Sequence, residues 1–475
     1  KYMLFNSITF IVFFTLIMIL HYSRISWNVK KINLLIGSYI FYAAWNPPFI
    51  LLLFLSTIVD WKVAKKIDES PSHKIRKRWL VISLSFNLGI LSIFKYSGFI
   101  LENFQNLLSV FGFSFQSFDP GIILPMGISF YTFQTLSYTI DVYNKKLKTH
   151  HSFLDYALFV SFFPQLVAGP IVRAKDFLPQ LRVQNHINFD QFSLGLSLLI
   201  IGLFTKTVLA DAFFAPFVDK VFASTQAVDT LSSWLAGVFF YAQIFSDFAG
   251  YSLCAIGTAL MLGFVIPLNF RAPFAAHGFS DFWRRWHISL SSWLRDYLYI
   301  PLGGNRKGKT LTFRNLMITM LLGGLWHGAA WTFVIWGAIH GFYLIAERWI
   351  RSIPMSGKIT DNLFFKLIIS FMTFILVMIA FVVFRAENLN QANSIILSMF
   401  KPTNGESIIQ WTLWTQVVTC TFVTMFILQY AFRNRSILDL IVSLPVTIRA
   451  IYLSLCIILI SISSGNSDAF IYFQF

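Results

Sequence analysis

The chain has 475 residues, of which 56% are apolar and only 12% are charged. A water-soluble domain carries about 25% charged residues, so this chain cannot cover a soluble surface of that size, and most of its surface is expected to face lipid. Its formal net charge is +16, and its basic residues lie in short loops between apolar runs. That pattern is typical of cytoplasmic loops next to anionic lipid and excludes nucleic acid as the favoured partner.

Apolar stretches of membrane-spanning length follow one another along the whole chain. The first covers residues 4–20 and lacks a small-residue cleavage site, which favours a transmembrane helix over a removed signal peptide. The further candidates are residues 32–59, 79–101, 121–143, 153–172, 190–210, 231–264, 312–349, 363–384, 411–432 and 444–464. The stretches 32–59, 231–264 and 312–349 exceed the roughly 20 residues needed for one crossing, so each is expected to hold two segments or a re-entrant piece.

We therefore predict an all-α polytopic membrane protein with about 11–13 membrane helices. No polar interval is longer than a loop or a short hairpin, so a single transmembrane domain is expected over residues 1–475. Cys254, Cys420 and Cys456 lie far apart in apolar stretches. Their spacing gives neither a disulfide framework nor a metal-ligand pattern.

Residues 280–299 read SDFWRRWHISLSSWLRDYLY and combine aromatic with basic residues. On a helical projection one face would be made of Phe282, Trp286, Leu290, Trp293 and Tyr297. The opposite face would carry Arg284, Ser291 and Arg295, with His287 at the border. This pattern predicts an amphipathic helix at or just below the cytoplasmic interface. It would serve either as an interfacial anchor or as a rim that gathers a phosphate-bearing donor and holds His287 at the edge of a buried cavity.

The segment GGLWHGAAWTFVIWGAIHG, residues 323–341, combines small residues with two histidines. Gly324 and Gly328 are four residues apart, a spacing that lets helices approach closely in lipid, and Gly337 and Gly341 repeat it. An ionisable residue inside a membrane helix is costly and suggests a function. His327 is therefore a candidate catalytic residue, the alternative being a neutral histidine bonded to one carbonyl.

His340 follows in the same segment, about 220° around a continuous helix from His327. On such a helix the two histidines would not share a face, so we expect a structural role for His340.

The motifs of other enzyme classes are absent from the sequence. Two histidines make no zinc site without a third ligand, and the sequence holds neither HExxH nor a cysteine pair. It also holds no GxSxG elbow, P-loop or GxGxxG. General acid–base chemistry is left, in which a neutral histidine in an apolar tunnel takes a proton from a hydroxyl. We expect no metal site and no bound cofactor.

At these residues the sequence resembles the membrane-bound O-acyltransferase (MBOAT) family, and within it the bacterial alginate O-acetyltransferase branch. The resemblance runs along nearly the whole chain. It is carried by LPMGISFYTFQTLSYTIDVY (124–143), FFPQLVAGPIVR (162–173), DFAGYSLCAIG (247–257), NFRAPF (269–274), DFWRRWHISLSSWLRDYLYIPLGGNR (281–306), LWHGAAWTFVIWGAIHG (325–341) and FIYFQF (470–475).

The resemblance implies a ring of helices around a central funnel or tunnel that crosses the membrane. The family's catalytic histidine, in its LWHG motif, corresponds to His327, and its second polar position, in WRRWH, corresponds to His287. The donor-binding residues we expect beside them are Arg284, Arg285, Arg295, Trp286 and Trp326. Guanidinium groups suit the phosphates of a donor, although contact with lipid headgroups is the alternative for the arginines.

The resemblance also implies a reaction and its setting. An acetyl group would pass from acetyl-CoA in the cytoplasm to the outside of a bacterial cytoplasmic (inner) membrane. The partner there would be a protein of the SGNH type that modifies a polysaccharide, with alginate, another exopolysaccharide, cellulose and peptidoglycan as open possibilities. The alternatives are D-alanyl transfer to teichoic acid and a transporter that uses His327 as a proton relay, although the sequence shows no inverted repeat.

Overall fold

The computed structural model describes residues 3–114, 121–149, 152–184, 186–353, 362–401, 405 and 407–463. Within these ranges the chain forms helices and no β-strand, which confirms the predicted all-α fold. The terminal segment FIYFQF (470–475) lies outside the described residues.

The helices are numbered here in chain order. They are α1 Ile8–Tyr22, α2 Trp27–Ala43, α3 Phe49–Glu69, α4 His73–Leu91, α5 Ser97–Val110, α6 Ile128–Tyr143, α7 Phe153–Ser161, α8 Phe163–Leu166, α9 Ala174–Phe177, α10 Phe189–Phe204, α11 Ala215–Phe222, α12 Thr230–Met261, α13 Phe279–Trp283, α14 Ile288–Leu294, α15 Lys309–His327, α16 Trp331–Arg351, α17 Leu363–Arg385, α18 Leu389–Phe400, α19 Leu413–Ala431, α20 Ile437–Ser443 and α21 Val446–Ser463. Three π-helical stretches, Ser92–Tyr96, Thr205–Phe214 and Arg295–Tyr299, and two short 3₁₀ helices, Leu178–Leu181 and Pro273–Ala275, interrupt or join them.

Six helical stretches in the described ranges are long and apolar enough to cross a membrane. They are His73–Val110, Phe189–Phe222, Thr230–Met261, Leu363–Arg385, Leu413–Ala431 and Val446–Ser463. The predicted total of about 11–13 membrane helices includes shorter ones and stays a prediction.

The three overlong apolar stretches behave differently. Residues 32–59 divide into α2 and α3 at the prolines Pro47 and Pro48, and 312–349 divide into α15 and α16, as predicted. The prediction of two segments in 231–264 is wrong, because α12 runs unbroken through Thr230–Met261. That stretch contains no proline, and its glycines make close helix contacts instead of breaks: a Cβ on Gly250 would meet the backbone of Gly202 and Lys206.

The described chain forms two compact units, Lys1–Gly195 with Ala255–Pro267, and Leu196–Cys254 with Leu268–Phe475. The expectation of a single domain over 1–475 stays a prediction. In the first unit, buried polar contacts join helices distant in sequence: the ammonium of Lys31 lies 2.6 Å from Asp155, and the Tyr22 hydroxyl donates to the carbonyl of Met261 at 2.8 Å.

The second unit contains all the predicted site residues. Its core is a cluster of buried aromatic rings that joins α12, the segment before α13, α16 and α17. Phe381 lies at its centre, with its ring 5.0 Å from Tyr241, 5.1 Å from Trp286 and 6.1 Å from Trp336 between centroids. Tilted ring contacts of this kind, made with several elements at once, restrict how those elements are rotated.

A charged group is also buried in the second unit. The ammonium of Lys206, in the π-helical stretch after α10, lies 2.7 Å from Asp211 and 2.6 Å from Asp247 of α12. Because unpaired charges are very costly in such surroundings, these contacts hold the two helices in one register.

The helices α15 and α16 pack as closely as their glycine spacing predicts. A Cβ on Gly324 would meet the carbonyl oxygen of Phe333 and the backbone of Gly337, and a Cβ on Gly337 would meet the carbonyl oxygen of Met320. A side chain at either position would push the helices apart, so both glycines are required by the contact.

We predict that Gly324→Ala destabilises the protein. The added methyl group overpacks the α15–α16 contact, which costs about 1–3 kcal/mol. Thermal unfolding in detergent, followed by size-exclusion chromatography, measures the loss. The control is Gly89→Ala on α4, where no atom lies within 4 Å of the new Cβ, so helix propensity alone raises stability by about 0.5–1 kcal/mol. Equal melting temperatures for the two variants would contradict the close packing.

Candidate functional site

His287 occupies a strained turn between two short helices. Its φ of 41° and ψ of 54° lie in the left-handed region, which residues other than glycine rarely adopt, and its side chain is 0% exposed. The prediction of one continuous helix over 280–299 is therefore wrong. The chain is helical there in three pieces, α13, α14 and the π-helical stretch Arg295–Tyr299.

The apolar face predicted for this segment is nevertheless the buried one. Phe282, Trp286, Leu290 and Trp293 are all buried, whereas Tyr297 is half-buried. Burial of this face holds the three helical pieces in place although the backbone changes direction at His287.

Asn269, in the NFRAPF segment, fixes the backbone around His287. Its carbonyl accepts a hydrogen bond from the N–H of Ile288 at 2.9 Å, and its side-chain oxygen accepts one from the hydroxyl of Ser289 at 2.6 Å. Its amide donates to the hydroxyl of Ser252 on α12 at 3.0 Å. A single side chain thus joins the strained turn to a long helix. Sequence reasoning missed Asn269, and the only signal was its place in a motif that carried the resemblance.

The imidazole of His287 is enclosed by other rings. Its centroid lies 4.6 Å from Phe248, 5.9 Å from Trp326 and 6.4 Å from His327. Neither ring nitrogen has a hydrogen-bond partner among the described residues. His287 lies outside the six membrane-spanning stretches, and burial lowers its pKa from 6.5 to about 3, so the imidazole is neutral at physiological pH.

His327 is the last residue of α15, and its side chain is 4% exposed. Trp326, Trp336 and Phe384 surround it, with ring centroids 5.0, 5.1 and 5.4 Å away. The chain leaves the helix through Gly328, whose φ of −163° is extended. His327 therefore lies at the end of a helix and not in its interior. From this end its ring lies next to that of His287.

The structure thus brings together the two histidines that the sequence singles out. They lie 40 positions apart by number, on different elements, and yet their rings are neighbours in a largely apolar enclosure. A neutral imidazole offers one N–H donor and one nitrogen acceptor. The pair can therefore accept a proton from one group and donate a hydrogen bond to another, which is the requirement for general acid–base catalysis.

The three candidate arginines have different surroundings. The side chain of Arg285 is only 12% exposed and donates to Asp281 at 2.9 Å and to the carbonyl of Arg433 at 2.8 Å. The side chains of Arg284 and Arg295 are 69% and 62% exposed, and Arg295 lies 2.7 Å from Asp296. Arg285 is therefore used inside the protein, whereas Arg284 and Arg295 face outward.

Asp281 is the centre of the ion pairs that hold Arg285. It also binds Arg433 at 2.9 Å and accepts the N–H of His277 at 2.9 Å. Burial alone would raise the pKa of Asp281, but the His277 N–H and the charge of Arg285 hold it below its ordinary value. The carboxylate stays ionised at neutral pH, so this group of contacts persists and fixes α13 against Arg433.

The two candidate tryptophans also differ. Trp286 is buried in the aromatic core, stacked on Phe282 at 5.6 Å, and the geometry gives it a packing position. Trp326 contacts both His287 and His327. In the described parts of the chain, no three His, Cys, Asp or Glu residues lie close enough to hold a metal ion.

The family profile MBOAT, membrane-bound O-acyltransferase family, matches residues 142–387, more than half of the chain. The chain belongs to this family: it is a multi-pass membrane protein and an O-acyltransferase.

Individual relatives agree with this assignment. The probable alginate O-acetylase AlgI of Pseudomonas putida is 41% identical over 399 residues, which is 84% of this chain and 80% of that protein. The peptidoglycan O-acetyltransferase of Helicobacter pylori is 37% identical over 428 residues, with the same coverage of 84% and 80%. The teichoic acid D-alanyltransferase of Streptococcus thermophilus is 29% identical over 283 residues, 54% of this chain and 68% of that protein. The predicted resemblance is confirmed.

We predict that Asn269→Ala lowers both stability and turnover. The substitution removes the side-chain hydrogen bonds to Ser289 and Ser252, which costs about 1–3 kcal/mol. The hydrogen bond from Ile288 to the backbone carbonyl remains, so His287 is held less firmly, which lowers activity about 10- to 100-fold. Melting temperature and acyl-transfer rate per folded protein measure the two effects. Asn106→Ala, at an exposed position of α5, is the control. If turnover of Asn269→Ala matched that of this control, Asn269 would have no part in positioning His287.

Proposed function

We propose that this O-acyltransferase moves an acetyl group from cytoplasmic acetyl-CoA through the membrane to an acceptor hydroxyl, for O-acetylation of an extracytoplasmic polysaccharide such as alginate. The observation that carries the proposal is the pair of buried imidazoles, His287 and His327, 6.4 Å apart inside a membrane protein. The alginate and peptidoglycan O-acetylating relatives support acetyl as the transferred group.

In the proposed mechanism His327 is the general base. It takes the proton of the acceptor hydroxyl while the hydroxyl oxygen attacks the thioester carbonyl. The carbon–sulfur bond breaks, the thiolate leaves, and the proton on His327 passes to it, so that a thioester and an alcohol become an ester and a thiol. The neighbours of His327 in sequence, Trp326 and Gly328, offer no nucleophile, which favours direct transfer.

His287 acts on the other side of the reacting carbonyl. As a neutral imidazole it donates an N–H to the oxygen on which negative charge develops. Such a donor is most effective when fixed in advance, and the hydrogen bonds that Asn269 accepts from the Ile288 N–H and the Ser289 hydroxyl supply that rigidity. The surrounding rings keep competing water away and strengthen the interaction.

We assign binding of the donor phosphates to Arg284 and Arg295, because their side chains are exposed and guanidinium groups form bidentate hydrogen bonds with phosphate. Arg285 is a positioning residue in this scheme, because Asp281 and two carbonyls use its donors. Trp326, which contacts both histidines, would pack against the acyl group between them. Trp286 would support the two histidines from the aromatic core. The reaction needs no bound cofactor, since acetyl-CoA is a substrate.

The proposed setting is the cytoplasmic (inner) membrane of a bacterium, with lipids around the apolar helices and an SGNH-type partner protein on the outer side. That partner would receive the acetyl group or present the polysaccharide. A second candidate, D-alanyl transfer to teichoic acid, is supported by the D-alanyltransferase relatives, which match at lower identity and over a smaller part of the chain.

We predict that His327→Ala lowers acetyl transfer by about 10²–10⁴-fold, the usual contribution of a positioned base. The experiment supplies purified protein in nanodiscs with radiolabelled acetyl-CoA and an alginate oligosaccharide as the acceptor, and it measures CoA release and labelled ester. His73→Ala, at an exposed position at the start of α4, is the control. Near-native transfer by a folded His327→Ala protein would refute the assignment. Activity with a D-alanyl thioester, but none with acetyl-CoA, would favour the second candidate.

We predict that Arg284→Ala and Arg295→Ala each raise the KM for acetyl-CoA about 10-fold, since a charge-assisted hydrogen bond to phosphate contributes about 1.5–3 kcal/mol. The kcat should change little, because the phosphates do not react. Arg78→Ala, at an exposed position of α4, controls for loss of surface charge. An equal KM for all three variants would place the donor phosphates elsewhere.

A further inference from the structure

Next to the histidine pair, three rings form a compact group that the proposed mechanism does not use. Trp283 of α13 and Trp336 and His340 of α16 contact one another, with centroid distances of 5.1 Å from Trp283 to His340, 4.7 Å from Trp336 to His340 and 5.8 Å from Trp283 to Trp336. We call these residues the three-ring cluster. The rings of Phe282 and Tyr343 also pack against His340, each with its centroid 5.8 Å away.

The polar atoms of the three-ring cluster have no protein partner. His340 is 0% exposed, and both its ring nitrogens lack a hydrogen bond to any described residue. The indole nitrogens of Trp283 and Trp336 are likewise buried and unbonded within the described chain. More than nine in ten buried polar groups in proteins are hydrogen-bonded, so these four neighbouring atoms are candidates for hydrogen bonds to a molecule outside the chain.

The three-ring cluster adjoins the catalytic pair directly. The ring of Trp336 contacts His327 at 5.1 Å and His340 at 4.7 Å. The expectation that His340 and His327 would lie on different faces assumed one continuous helix. Because α15 ends at His327 and α16 begins at Trp331, that geometry does not apply, and a single indole links the two imidazoles.

The donor and acceptor inventory of the three-ring cluster defines the chemistry of its ligand. Each indole can only donate, and a neutral imidazole donates through one nitrogen and accepts through the other. The cluster therefore offers three N–H donors and one acceptor, all without formal charge. This surplus of donors suits an oxygen atom with lone pairs.

We propose that the three-ring cluster binds a hydrogen-bond-accepting oxygen beside His327 during acyl transfer, either a carbonyl oxygen of the donor's arm or an ordered water. This proposal rests on the proposed function, because it places the oxygen next to the base of that reaction. No bond is made or broken at the cluster. His340 is a positioning residue: it fixes the oxygen, and through Trp336 the ring of His327.

A purely structural histidine would differ in the effect of its substitution on activity. Phenylalanine fills a similar volume and keeps the ring contacts, and it removes two buried nitrogens whose burial without partners is unfavourable. If packing were the only role of His340, His340→Phe would be at least as stable and fully active. Loss of activity without loss of stability is therefore specific to a polar role.

The test compares His340→Phe, His340→Gln and Trp336→Phe with the unaltered full chain in nanodiscs. We expect the melting temperature of His340→Phe to be equal or higher and its acetyl transfer to fall about 10-fold or more, the loss of at least one hydrogen bond. His340→Gln, which restores a donor and an acceptor, should recover part of the activity. The matched control is His21→Phe, another buried histidine, in the first unit, which should keep full activity.

The kinetic constants distinguish the two sources of the oxygen. If the oxygen is a carbonyl of the donor, His340→Phe raises the KM for acetyl-CoA. If it is water, kcat falls while the KM stays unchanged. Unaltered kcat and KM in a folded His340→Phe protein would overturn the proposal, and Trp283→Phe and Trp336→Phe provide the same decision should His340→Phe fail to fold. Activity retained by His327→Ala would instead refute the proposed function, so the two failures are separable.

Discussion

The geometry of the site depends on the hydrogen bonds that Asn269 makes to the strained turn at His287. A left-handed conformation at a residue other than glycine costs about 1–3 kcal/mol and persists only where the surroundings impose it. Asn269 imposes it by bonding to Ile288, Ser289 and Ser252 at once. The turn at His287 interrupts what would otherwise be one amphipathic helix. That interruption directs the imidazole inward instead of along a helix border.

The surroundings of the histidines suit the proposed chemistry, in which both imidazoles act as neutral groups. Around His287 and His327 the contacts are with aromatic rings, and the formal charges of the segment lie elsewhere, in the Asp281 ion pairs and on exposed arginines. In such an environment hydrogen bonds are stronger than in water and unpaired polar atoms are costly. Helix contacts through Gly324 and Gly337 place α16 close enough for Trp336 to join the enclosure.

Much of the fold and part of the site could be predicted from the sequence. The lengths of the apolar stretches predicted most of the long helices. The glycine spacing predicted the α15–α16 contact, and the motifs singled out the two histidines. The failures come from arguments about periodicity and length, which take no account of the contacts that break a helix or keep it whole. A periodicity argument missed the break at His287, where hydrogen bonds from a distant asparagine decide the backbone. A length argument placed a break within 231–264, where α12 is unbroken and its glycines pack against other helices. The angular separation of His340 from His327 does not apply, because α15 ends at His327 and α16 begins at Trp331.

The length of α12 has a consequence for how the protein sits in its bilayer. With 32 residues it extends about 48 Å, well beyond a hydrocarbon layer of about 30 Å. A lipid-facing helix of that length would have to tilt or distort the surrounding lipid, and its setting would vary from one membrane to another. Here the apolar part of α12 is largely covered by protein. The neighbouring helices, rather than the thickness of the bilayer, then determine its depth and angle. Asn269 is bonded to this helix through Ser252, so its position is insensitive to lipid composition.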